Sequence, residues 1–302
     1  MTKKIIIAEP EEGLKFIDTH CHLPFPRPQK NDKLPPDELQ YKQYLENGGV
    51  YLITSSIDNA TLKLILNFIK GKNKIGYTCG WAPQTVTYTP EKKYNEEWKK
   101  WIDFVINNSK NFLGIGEIGI DFHHAKTLEK RTKQVSELEK IFELTLDLDK
   151  PYILHVRNAA KNEIDIENPN HKFNRYDGAT KEILRILEEF NIKSSKVMWH
   201  CFSGPDEYGL SLSEQGYKLS VPSSAYGNNK WRRATAKSSL DSLVTETDSY
   251  YQHPYLHGPL NVPLNVRYSI AAISYTHNIS QVEVSTKTVH NALEFFNLDI
   301  ET

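Results

Sequence analysis

The chain has 302 residues, enough to bury a large core, and its 39% hydrophobic and 25% charged residues exclude a disordered or fibrous chain. Lys+Arg 37 against Asp+Glu 38 leave a formal charge of -1, which excludes an overall basic field that holds nucleic acid non-specifically; any such contact is local. Three cysteines, Cys21, Cys79 and Cys201, do not make a disulfide framework and predict a reducing, cytoplasmic setting, and no apolar run suits a secretory leader or a membrane span.

In chain order, short β-branched or aromatic runs predict strands at Phe16–His20, Val50–Ser55, Ile75–Gly80, Phe112–Ile120, Tyr152–Val156, Lys196–His200, Tyr217–Val221 and Leu243–Asp248. Between them, polar-faced segments with helical spacing predict helices at Pro36–Asn47, Asn59–Lys70, Asn95–Asn108, Leu128–Leu148, Thr180–Phe190, Asp206–Gln215 and Asn229–Leu240, with a last one at Ser280–Phe296. Asp58 suits the cap of the second helix, and Pro36 a first-turn position. The polar stretch Asn162–Asp177 reads as a long loop after the fifth strand. Eight strands alternating with eight helices predict one α/β domain over residues 1–302, a (β/α)8 TIM barrel with its site at the C-terminal strand ends; a doubly wound open sheet gives a similar alternation.

The strand ends carry the chemistry. His20 and His22, in Asp18-Thr19-His20-Cys21-His22, point to the same side of an extended segment and suit one metal ion, although the pair alone also fits two histidines at a loop start. Glu117 lies in the apolar, glycine-rich run Leu113–Asp121, where a buried carboxylate needs a cation or hydrogen-bond donors. His155, His200 and Asp248 each end a predicted strand, and in a parallel barrel such ends converge on one face. Four histidines and two carboxylates suit Zn2+ or Mn2+, with Mg2+ less natural for imidazole, and a two-metal site bridged by Glu117 is feasible. Arg157, two residues after His155, suits a bidentate phosphate clamp or a rim ion pair. Ser203 fits a phosphate contact or an ordinary turn, and His123 a substrate contact or an exposed loop.

The motifs FIDTHCHL, GEIGIDFHH, LHVRNA, HCFSG and ETDS stand in order over nearly the whole chain. In that order and spacing the sequence resembles the TatD family of metal-dependent deoxyribonucleases, amidohydrolase-like TIM barrels. The resemblance implies that His20 and His22 bind the more buried metal, that Glu117 bridges two metals, and that His155 and His200 complete the second site. It implies for Asp248 the role of catalytic aspartate, which binds metal and orients water, and it implies divalent-metal-dependent cleavage of DNA, often from the 3′ end. The stretch His257–Pro263 keeps an Asn and a Pro but not the basic pair and glutamate that family members commonly carry there.

The leading expectation is therefore a metal-dependent deoxyribonuclease with DNA as substrate, catalytic Asp248 and Glu117, and two divalent ions. A hydrolase of a small ester, lactone or amide is the alternative, and a non-catalytic scaffold is disfavoured because the set leaves room for water on a metal.

Overall fold

A computed structural model describes residues 7–26, 34–159, 163–164, 172–173, 178–255, 258 and 260–300. The strands are β1 (Phe16–Cys21), β2 (Gly49–Ser55), β3 (Ile75–Cys79), β4 (Gly114–Asp121), β5 (Tyr152–Arg157), β6 (Glu163–Ile164), β7 (Lys172–Phe173), β8 (Val197–Trp199), β9 (Lys218–Pro222) and β10 (Leu243–Glu246). Eight of them are hydrogen-bonded in the order β1-β2-β3-β4-β5-β8-β9-β10, the order of a (β/α)8 barrel. Nearly all their residues are buried, as expected of parallel strands covered on both faces.

The helices are α1 (Asp37–Glu46), α2 (Asn59–Phe68), α3 (Pro83–Tyr88), α4 (Glu91–Asn107), α5 (Leu128–Thr145), α6 (Gly178–Glu189), α7 (Asp206–Glu214), α8 (Asn229–Ala234), α9 (Arg267–His277) and α10 (Gln281–Phe296). Asp58 caps α2, its Oδ1 accepting from the Thr61 N–H at 2.8 Å, whereas Pro36 is the N-cap of α1, one place earlier than expected. Two helices lie outside the expected set. In α9, Ser269 to Ile273 are all buried, so the apolar periodicity that marks a one-sided helix is muted. The short α3 follows directly on Ala82 with Pro83 in its first turn. Helix α8 stops at Ala234 instead of Leu240, with Thr235 as its C-cap, and Ser239 then caps a separate 3-10 turn by accepting from the Asp241 N–H. The expected loop after β5 contains an antiparallel pair, Glu163 opposite Phe173 and Ile164 opposite Lys172, which satisfies backbone groups within the loop; the rest of 162–177 lies outside the described residues.

The chain divides into two compact units, 1–54 with 68–76 and 201–302, and 55–67 with 77–200. In the first, β1 pairs with β2 and β9 with β10. The Thr19 hydroxyl donates to the Thr245 carbonyl and the Thr245 hydroxyl to that of Ile17, both at 2.9 Å, which ties β1 to β10 through side chains. Helix α10 packs on both strands, its Asn291 amide donating to the Leu240 and Leu243 carbonyls at 2.8 and 2.7 Å.

In the second unit β4 lies between β3 and β5, and β5 pairs on with β8. Gly119 stands opposite His155 at φ +139°, and a Cβ there would meet the His155 carbonyl oxygen at 2.1 Å, so no other residue fits. Gly119→Ala is expected to cost about 3 kcal/mol or more, combining backbone strain with overlap. Urea unfolding checks this; a loss under about 1 kcal/mol would show that β4 and β5 can part at this point.

Candidate metal centre

The first unit brings His20, His22 and Asp248 together, with potential ligand atoms all within 4.8 Å of one another. Asp248 Oδ1 lies 3.3 Å from His22 Nε2 and 4.0 Å from His20 Nε2, and the two imidazole rings stand edge to face at 5.0 Å. The backbone sets this arrangement. The Asp248 N–H donates to the His20 carbonyl and the His22 N–H to the Ser249 carbonyl, each at 2.9 Å, so the chain after β10 continues alongside the end of β1. Asp248 adopts a left-handed conformation, φ +50°, which aspartate tolerates better than most residues, and it lies two residues beyond β10 instead of ending it. His200 likewise follows β8, in a turn that continues into the left-handed Cys201. Both expected strands stop short because the chain turns at these positions.

Beneath this group Asp18 is fully buried. Its carboxylate accepts from the Thr247 N–H at 3.0 Å, the Thr247 hydroxyl at 2.5 Å and the His20 N–H at 3.3 Å. Burial pushes its carboxyl well above the usual range, against the lowering effect of these bonds. Asp18 thus joins the backbone before His20 to the backbone before Asp248.

The second unit brings Glu117, His155 and His200 together. Glu117 Oε1 lies 2.6 Å from His155 Nδ1 and 3.5 Å from His200 Nε2, and the two imidazole nitrogens are 3.3 Å apart. Ser55 holds the backbone at this point: its hydroxyl donates to the Gly116 carbonyl at 3.0 Å and accepts the Glu117 N–H at 2.8 Å. The other nitrogen of His155, Nε2, faces Asp121 Oδ2 at 3.1 Å, and the same oxygen lies 2.7 Å from His124 Nδ1 and accepts from the Gln84 amide at 3.1 Å. Gln134 accepts the Asp121 N–H at 2.9 Å and donates to Thr87 and to the Pro83 carbonyl, which fixes Asp121 from behind.

Asp121 and Ser55, neither of them expected from the sequence, contact this cluster directly. In an extended strand Glu117, Gly119 and Asp121 share one face, and that alternation was the available signal for Asp121. Ser55 offers no such signal, because its partner is 62 residues away. Arg157 is exposed at the end of β5, opposite Asp121 in register. Burial first, and then the Arg157 charge, lower the His123 pKa, so these two expected substrate residues are electrostatic neighbours. Ser203 lies half-buried in the turn before α7 and, among the described contacts, joins neither cluster. His257 and Pro259 lie outside the described residues.

The donor sets suit a divalent cation: imidazole and carboxylate converge in each cluster, the combination that Zn2+ and Mn2+ take. In the second, His155 Nδ1 faces Glu117 and His200 while Nε2 faces Asp121, the arrangement in which a carboxylate orients a ligand imidazole. Burial acts to lower the His155 pKa, but hydrogen bonds to Asp121 and Glu117 outweigh it and raise it to about 9. At neutral pH the metal-free imidazole therefore carries a proton that a cation must displace. Titrating Zn2+ or Mn2+ near pH 7, by calorimetry in buffers of different ionisation enthalpy, should show release of about one proton from this residue, and affinity should rise with pH until about pH 9. Binding without proton release would exclude His155 as a ligand. Asp121→Asn should weaken metal binding roughly 10- to 100-fold, measured by chelator competition; unchanged affinity would leave Asp121 a purely structural residue.

The TatD related DNase family model matches residues 17–297. An uncharacterized metal-dependent hydrolase of Methanocaldococcus jannaschii is 26% identical over 94% of this chain and 97% of its own length. The human deoxyribonuclease TATDN3 is 25% identical over 94% of this chain and 95% of its own. The crystal structure of YJJV, a TatD homologue of Escherichia coli, superposes with a TM-score of 0.74 at 20% identity, covering 94% of this chain and 98% of that one. The chain is thus a member of the TatD-related DNase family of metal-dependent hydrolases, on the (β/α)8 barrel of its structural relatives.

Proposed function

We propose that this chain is a deoxyribonuclease that hydrolyses DNA phosphodiester bonds, working from 3′ ends, with two divalent ions held by His20, His22, Glu117, His155, His200 and Asp248. The observation that carries the reading is the Asp248 carboxylate, largely buried beside two imidazoles and held there by a left-handed backbone. Family membership and the deoxyribonuclease name of the human relative support DNA over other substrates.

Divalent ions, when bound, polarise the phosphoryl oxygen and make water a nucleophile at neutral pH. The residues supply the rest. Asp248 orients the attacking water and accepts its proton. Glu117 and His155 hold each other in position through the 2.6 Å contact, with Asp121 fixing the far side of the imidazole. Arg157 presents an exposed guanidinium suited to bidentate binding of phosphate oxygens, with His123 beside it and the Ser203 hydroxyl as a further donor. Three cysteines, Cys21, Cys79 and Cys201, too few and odd in number for a disulfide framework, fit a reducing, cytoplasmic compartment. Among the described residues no helix is long and apolar enough to cross a membrane.

Incubation of 3′-labelled single-stranded DNA with the protein and Mg2+, Mn2+ or Zn2+ should release label, EDTA should abolish it, and Asp248→Asn should lower kcat by about 100-fold or more. Metal binding without DNA cleavage would overturn this reading in favour of a small ester, lactone or amide, to be screened next.

A further inference from the structure

The two loops that carry His22 and Asp248 also carry three aromatic side chains for which the ligand chemistry has no use. Phe25 lies three residues after His22, and Tyr250 and Tyr251 lie two and three residues after Asp248. The Phe25 ring packs on that of Tyr250. The Tyr250 and Tyr251 rings are 4.3 Å apart and tilted by 40°, and their hydroxyls are 3.2 Å apart. Tyr251 is 56% exposed, a large apolar face left to solvent beside a polar centre.

The backbone beneath these rings is fixed. The Tyr251 N–H donates to the Asp248 carbonyl at 2.8 Å, and the Asn261 N–H to that of Tyr250 at 2.9 Å. The buried Asn261 amide in turn bonds the Thr247 carbonyl at 3.0 Å and that of Gln252 at 3.2 Å. Two residues of extended chain span at most about 7 Å, so Tyr250 cannot move far from Asp248.

From this juxtaposition we propose that Phe25, Tyr250 and Tyr251 form a stacking platform for an unpaired nucleobase next to the phosphate attacked at Asp248. The inference rests on the phosphodiesterase reading above and adds to it a contact with the base itself. A base paired within a duplex keeps its faces covered by neighbouring bases, whereas an unpaired base offers a π-face that an aromatic shelf accepts whatever the sequence. With a formal charge of -1 the chain has little general attraction for phosphate, so stacking supplies affinity that salt does not screen.

The test compares an oligothymidylate with an abasic oligomer of equal length and charge, scoring binding by fluorescence anisotropy with Ca2+ and cleavage with Mn2+. The wild-type protein should bind the base-bearing strand about tenfold more tightly. Tyr251→Ala should bring that ratio towards one, and Tyr251→Trp should keep it. Equal binding of the two strands by the wild type, or an unchanged ratio in Tyr251→Ala, overturns the platform. Equal binding with cleavage of both strands does so while leaving the nuclease reading intact. Base-dependent binding lost in Tyr251→Ala, with no cleavage by any metal, supports the platform and overturns the nuclease reading instead.

Discussion

Glu117 puts a carboxylate in the middle of a strand that is apolar up to its last residue, Asp121, and buried along its whole length. An isolated buried charge costs several kcal/mol, so the surrounding structure must provide polar partners or the strand would not hold this residue ionised. His155 provides one at 2.6 Å, and His200 lies 3.5 Å from the same oxygen. The backbone on either side is constrained to match: Ser55 bonds the peptide before Glu117, and Gly119 lets β5 approach closely enough to bring His155 into place. Asp121, at the end of the same strand, then meets the far nitrogen of that imidazole. One buried carboxylate thus accounts for a serine on β2, Gly119 of β4 and a second carboxylate.

The first unit handles the same problem by a different route. Its fully buried carboxyl, Asp18, is pushed by desolvation towards the neutral form and is surrounded by hydrogen-bond donors from Thr247 and His20. It acts as an internal clip beside the hydroxyls of Thr19 and Thr245, which join β1 to β10, and the backbone bonds that follow at His20 and His22. The left-handed turn at Asp248 follows at once, so a rigid strand end becomes a loop.

These arrangements favour chemistry that needs metal ligands held in advance and a substrate recognised locally. Formal charge is near zero, so any attraction for a charged substrate is local. Mutual support among ligands also accounts for the raised pKa of His155, which would make metal loading a proton-coupled event.

Much of this was legible in the chain. Apolar runs and polar-faced helical segments predict all eight strands of the sheet, and the polar residues expected within or just after them include the six that meet in the two clusters, because a strand's two-residue period leaves few places for a buried polar group. The sequence by itself also determined membership of a family of metal-dependent hydrolases, through motifs spread over nearly the whole chain. Only the tertiary structure decided how those residues are held. Ser55, Gln84 and Gln134 act on neighbours up to 62 residues away, the left-handed backbone at Asp248 ends its strand early, and α9 hides its periodicity by burying more than one face. Such contacts join positions remote in the chain, and no local pattern of residues encodes a partner that only folding brings within hydrogen-bond reach.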